Sequence, residues 1–230
     1  MLIQMIERDM PIDCVLTADT GMEFPQMYEH LEKVDDFLHR ERGIHITTIR
    51  QPESFEYLMI EQPLITAKGI NRRLERGLPP CGNGWPGPLV RWCTGRLKVR
   101  PIKKEIKRLK KEKNAVQYIG IASDEAWRCK DAVYPLVEWG ITEAQALQIC
   151  YDHGFDFGGL YRIHHRVSCY HCPFQRLEEL RNLRLHHPQL WKRLLELDER
   201  ALAQFGNNAL GRFRSDYTVA ELDKRFAREG

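Results

Sequence analysis

The sequence predicts an α/β fold: an open parallel sheet with a helical C-terminal extension. Two patterns carry this expectation. From residue 2 to residue 49, stretches with helical spacing alternate with short β-branched runs, and such alternation favours parallel strands joined by right-handed crossovers. From Gln175 onward the apolar spacing is helical only. The expected division is an α/β domain over 1–173 and a helical extension over 174–230.

Residues 2–9 read as the end of an amphipathic helix, stopped at Met10-Pro11 because proline lacks the amide donor and clashes with the preceding turn. Cys14–Ala18 is short, apolar and β-branched, which predicts a buried strand with Cys14 in the core. Asp19-Thr20-Gly21 then forms the loop at its end. Pro25–Arg40 carries Met27, Leu31, Val34, Phe37 and Leu38 at helical spacing, with Gly43 as the closing residue. Ile44–Ile49 is the next strand. Residues 52–90 read as a long irregular loop, and a basic helix follows at roughly 100–113. Gln117–Ala122 reads as a strand, with Ser123-Asp124-Glu125 starting a short turn or helix. Thr142 caps a helix, 153–166 is a Gly- and His-rich loop, and 175–205 is helical with a break near His187-Pro188. A last short helix over 217–228 is capped by Thr218.

Composition places the chain among ordinary globular proteins: 230 residues, 43% hydrophobic and 29% charged. No run of about 18 apolar residues predicts a membrane span. The N-terminus carries Glu7 and Arg8 too early for a signal peptide, so a cytoplasmic location is expected. There the seven cysteines stay reduced, and metal ligation or redox chemistry stands against the plainer reading of buried free thiols. The net charge of +3 names no partner. The basic run Arg96–Lys113 is either a solvated helix face or a surface for nucleic acid or a protein partner.

Cys169-Tyr170-His171-Cys172-Pro173 holds a Cys-x-x-Cys that suits either zinc or iron–sulfur, and Cys93 and Cys150 would complete a four-thiolate site. His171 is a further zinc donor by type, whereas His164-His165 and His186-His187 read as surface pairs. Asp19, Thr20 and Gly21 after one strand, and Asp124 and Glu125 after another, lie on the edge where open parallel sheets bind ligands. Ordinary turn and capping chemistry would give the same residues.

Several segments together resemble one family. Val15–Pro25 contains Asp19-Thr20-Gly21-Met22-Glu23-Phe24-Pro25. It is followed by Cys93-Thr94-Gly95-Arg96-Leu97-Lys98-Val99-Arg100-Pro101, by Gly120-Ile121-Ala122-Ser123-Asp124-Glu125-Ala126-Trp127-Arg128 and by Pro135-Leu136-Val137-Glu138-Trp139. In this order they resemble the signatures of the phosphoadenosine phosphosulfate (PAPS) reductase family, and Gly158–Pro173 resembles a subgroup common in phages and mobile elements. The resemblance implies a sheet of the adenine nucleotide α-hydrolase (PP-loop/HUP) type, with ATP or PAPS across the strand ends. It implies Asp19, Thr20 and Gly21 near the adenosine, Asp124 and Glu125 on the same edge, and Lys98, Arg128 and Arg91 facing phosphate or sulfate. It also implies a [4Fe–4S] cluster on Cys93, Cys150, Cys169 and Cys172, with zinc as the alternative.

Two departures bear on activity. The family opens with a strand and a Ser-Gly-Gly-type phosphate loop, whereas this sequence starts within the helix expected after that loop. True PAPS reductases also end in a Glu-Cys-Gly-x-His segment, whereas the last cysteine here is Cys172. Three readings therefore stand: an oxidoreductase or sulfur-transfer enzyme with a nucleotide and a cluster, an accessory subunit that has lost catalysis and binds nucleotide or nucleic acid, and a structural Cys₄ zinc protein. Any of them is compatible with a homo-oligomer and none with a membrane span.

Overall fold

The computed structural model describes residues 1–112 and 114–229. Lys113, the last residue of the basic run, lies outside the described residues. The chain is mixed α/β and mostly helical, with a small parallel sheet of two strands, β1 (Val15–Asp19) and β2 (Ile46–Arg50). Helix α1 (Leu2–Glu7) precedes the sheet, and α2 (Pro25–Arg42) forms the crossover between its strands. Gly43 closes α2, its amide donating to the His39 carbonyl at 2.8 Å. The strand begins at Val15, so Cys14 is exposed, not part of the core.

The expected loop over 52–90 contains helical structure. A π-helical turn runs over Tyr57–Glu61, and α3 (Ala67–Leu74) is capped by the Thr66 hydroxyl, which accepts from the Gly69 amide at 3.2 Å. A second π-helical stretch, Thr94–Val99, leads into the basic helix α4 (Arg100–Glu112). The strand expected over Gln117–Ala122 is reduced to a single parallel bridge between Tyr118 and Val133. A ladder needs a run of partners, and among the described residues the bridge partner here is Val133.

A 3₁₀ turn over Ser123–Arg128 follows, then α5 (Pro135–Glu138), α6 (Glu143–Asp152) and α7 (Leu160–Ile163). The C-terminal part holds α8 (Leu177–His186), α9 (Pro188–Phe205) and α10 (Val219–Arg228). The break between α8 and α9 falls where proline forbids continuation but suits a first helical turn. Thr142 and Thr218 both form reciprocal capping boxes, with Gln145 and Glu221 respectively.

The chain folds into two compact units, each assembled from separate segments. One comprises Met1–Thr17, Pro25–Ile49 and Ile102–Leu160; the other comprises Ala18–Phe24, Arg50–Pro101 and Tyr161–Gly230. In the first unit, Phe37 meets Phe155 edge-on at 5.5 Å, and Arg42 ties α2 to the end of α1 through Asp9 at 2.7 Å and the Ile6 carbonyl at 2.9 Å. In the second, α9 buries Trp191, Leu194, Leu197, Ala201 and Phe205 along one face, the 3.6-residue stripe of a core helix. Trp85 packs on Phe213 and donates its indole N–H to Asp198 at 3.0 Å.

Candidate functional site

The carboxyl ends of β1 and β2 both belong to the second unit, and a cavity of about 610 Å³ opens beyond them. Its lining comes from Asp19–Met22 after β1, from Arg50–Glu56 after β2, and from Leu97 and Arg193. This is the edge where parallel sheets carry ligands, because successive strand-to-loop turns open there. Carboxylates (Asp19, Glu53, Glu56), hydroxyls (Thr20, Ser54) and guanidiniums (Arg50, Arg193) share the wall with Met22, Phe55 and Leu97. Such a lining offers acceptors for sugar hydroxyls, cations for phosphate and apolar surface for a base.

Local chemistry fixes the β1 loop. The Asp19 carboxylate accepts the Gly21 amide at 2.7 Å, an Asx turn, and lies 3.6 Å from Arg50 Nε. Gly21 has φ +73, a left-handed backbone that favours glycine, and a Cβ there would stand 3.1 Å from the mobile end of the exposed Arg50 side chain.

Behind this loop, Glu23 Oε1 is a hub. It accepts the Lys98 ammonium at 2.9 Å, the Cys169 thiol at 3.2 Å and the Thr20 hydroxyl at 3.3 Å. Thr20 thus belongs to both the cavity wall and the hub. The Cys-x-x-Cys loop is tied to the same segment, since the Tyr170 amide donates to the Met22 carbonyl at 3.2 Å and Gln175 holds the Cys169 carbonyl at 2.7 Å. Burial pushes the Cys169 thiol up to about 12; the Glu23 carboxylate adds to this and Lys98 opposes it. Burial lowers Lys98, but the Cys169 and Glu23 charges outweigh it and raise the ammonium overall.

The other expected site residues have local partners. Arg91 lies over the Phe174 ring at 4.6 Å. Asp124 accepts the Glu143 amide at 3.1 Å, and Glu125 pairs with Arg128, all three in the first unit. Arg50, Ser54, Glu56 and Arg193 join the cavity without having been singled out in the sequence. Arg50 could have been found, because it ends a strand as Asp19 does; Arg193 sits mid-helix with no local signal.

Cys93, Cys169 and Cys172 share the second unit, while Cys150 lies in the first. The Cys172 amide closes a turn on the Cys169 carbonyl at 3.2 Å. Burial raises the Cys172 thiol; the Phe174 amide opposes this and neighbouring Cys93 adds to it. Burial also raises Cys93, against hydrogen bonds from Thr94, and raises Cys150, against the Met1 ammonium. Among the described residues, no three His, Cys, Asp or Glu side chains gather in a group that could hold a metal ion. In this arrangement Cys169 is engaged with Glu23.

Two histidines expected to be peripheral or ligating are core residues. His164 is 2% exposed and bonds Glu179 at 2.6 Å; His171 is 3% exposed and packs edge-on against Phe55 at 4.0 Å. Comparison with protein-family models, curated proteins and solved structures finds no match.

Proposed function

We propose that this chain is a PAPS reductase-like protein of the adenine nucleotide α-hydrolase fold, binding an adenine nucleotide in the cavity beyond β1 and β2 and serving sulfur transfer. The observation that carries the reading is the position of Asp19-Thr20-Gly21. These family-like residues line a polar cavity at the carboxyl ends of parallel strands, and Thr20 connects that cavity to the Cys169 thiol. The chain's residues would divide the work simply. Asp19 and Ser54 meet sugar hydroxyls, Arg50 and Arg193 meet the anionic group, and Glu23 holds the protonated Cys169 thiol behind the cavity. Calorimetric titration with ATP, PAPS and GTP tests this. Binding of ATP or PAPS in preference to GTP, weakened about tenfold by Arg50→Ala through loss of a charge-assisted contact, supports it. Absence of binding by both adenine nucleotides overturns it.

A second reading keeps the [4Fe–4S] cluster, with zinc as the alternative, on the strength of the shared Cys169–Cys172 turn and the proximity of Cys93 to Cys172. No chemical step is derived through it. Anaerobic purification followed by iron and zinc assays decides: stoichiometric metal lost in Cys169→Ala supports the cluster, and metal-free protein leaves the thiols as thiols.

A further inference from the structure

A second cavity, of about 550 Å³, shares Glu56 and Arg193 with the first and continues along α9. Its polar lining from that helix is Gln189, Lys192, Arg193, Glu196 and Arg200. They recur at three- and four-residue steps and so lie along one face. Leu197, 2% exposed, is also in the wall.

At the junction, both oxygens of one carboxylate are held by two guanidiniums. Arg193 Nη2 donates to Glu56 Oε1 at 2.8 Å, and Arg200 Nη1 donates to Glu56 Oε2 at 2.9 Å. Arg200 also reaches Glu61 at 3.2 Å. Two guanidiniums converging on two oxygens of one anion is the geometry that suits phosphate. Burial works against ionisation of Glu56, but the hydrogen bonds from Arg193 and Arg200 outweigh it and hold the carboxyl below its ordinary value.

We infer that the Arg193–Arg200 fork is a phosphate site in which Glu56 occupies the place of the ligand anion, so that a nucleotide seated in the first cavity extends its phosphate chain into the second by displacing Glu56. The inference rests on the nucleotide reading above. It adds where the phosphates lie, which groups hold them and which side chain competes. Lys192, on the same face and 3.9 Å from Glu196, supplies a further cation at the rim.

The test titrates adenosine, ATP and inorganic pyrophosphate into the wild type, Glu56→Gln, Arg200→Gln and Lys192→Gln. Arg200 and Lys192 are surface side chains, and urea unfolding checks that each variant folds. Arg200→Gln weakens ATP and pyrophosphate about tenfold, as expected for one lost charge-assisted contact, with adenosine unchanged. Lys192→Gln weakens them less. Glu56→Gln tightens both several-fold, because a neutral amide competes poorly for two guanidiniums. If ATP binds the wild type but Arg200→Gln and Glu56→Gln leave it unchanged, the fork inference fails and the nucleotide reading survives. If adenosine and ATP do not bind, the nucleotide reading fails and pyrophosphate alone decides: binding that is lost in Arg200→Gln keeps the anion site, and no such binding overturns it.

Discussion

The Cys169 thiol and the Lys98 ammonium converge on one oxygen of Glu23, at 3.2 Å and 2.9 Å. The carboxylate therefore keeps the proton on sulfur while it neutralises the cation that would otherwise favour thiolate. Burial and the Glu23 charge hold the thiol near 12, so at neutral pH it is a poor nucleophile. Iodoacetamide labelling followed by peptide mass spectrometry should show exposed Cys14 reacting first and Cys169 among the slowest. Glu23→Gln removes the opposing charge and leaves Lys98 beside the sulfur, so Cys169 labelling accelerates several-fold. Equal rates in the two proteins would show that Glu23 does not control this thiol.

Asp198 sets a pH dependence of unusual sign. It is 2% exposed and accepts Trp85 Nε1 at 3.0 Å and the Val219 amide at 2.7 Å. Burial nevertheless raises its carboxyl from 3.8 to about 6. Between those values the folded chain keeps a proton that the unfolded chain has released. The contribution is therefore full below the unfolded value and lost as pH rises through about 6, a change of about 3 kcal/mol. Asp198→Asn should lack this slope when urea stability is compared at about pH 4 and about pH 7.

His171 opposes it. Its ring is buried, its Nδ1 has no hydrogen-bond partner, and burial lowers its value from 6.5 to about 3. Here the unfolded chain takes up the proton that the folded chain refuses. Stability is lost as pH falls below 6.5, by roughly 5 kcal/mol across the window. Replacing it with phenylalanine, His171→Phe, suits the neighbouring Phe55 and removes the titration. The variant should retain more of its neutral-pH stability at about pH 4 than the wild type, and a parallel acid transition in both would refute this account.

Gly82 and Gly77 have nearly the same left-handed backbone, φ +64 and φ +63, but different surroundings. A Cβ on Gly82 would meet the Ile60 carbonyl at 2.5 Å and the Met59 carbonyl at 2.6 Å, whereas one on Gly77 meets nothing within 4 Å. Gly77→Ala should cost about 1–2 kcal/mol, the conformational term alone. Gly82→Ala should cost more, about 2–4 kcal/mol, because backbone must shift. Thermal unfolding of both variants separates the two terms.

The sequence by itself determined what depends on neighbours along the chain. Thr142 and Thr218 cap their helices as read, since the hydroxyl and its amide partner lie three residues apart. The first two strands, their crossover helix and the break at His187-Pro188 follow equally from local apolar spacing and proline geometry. Even the cavity edge was half legible, because Asp19, Thr20 and Gly21 lie at the end of a strand. Tertiary structure decided the rest. Whether Tyr118 begins a strand depended on how many partners the chain brought beside it, and it brought Val133. Whether His164 faced solvent or Glu179, and whether Cys169 met other thiols or a carboxylate 146 residues away, depended on which segments fold into one unit. Arg193 joins the cavity from the middle of a helix for the same reason. Hydrogen bonds that close within one turn are written in adjacent residues, whereas burial and charge pairing are set by residues far apart in the chain, and only packing brings those together.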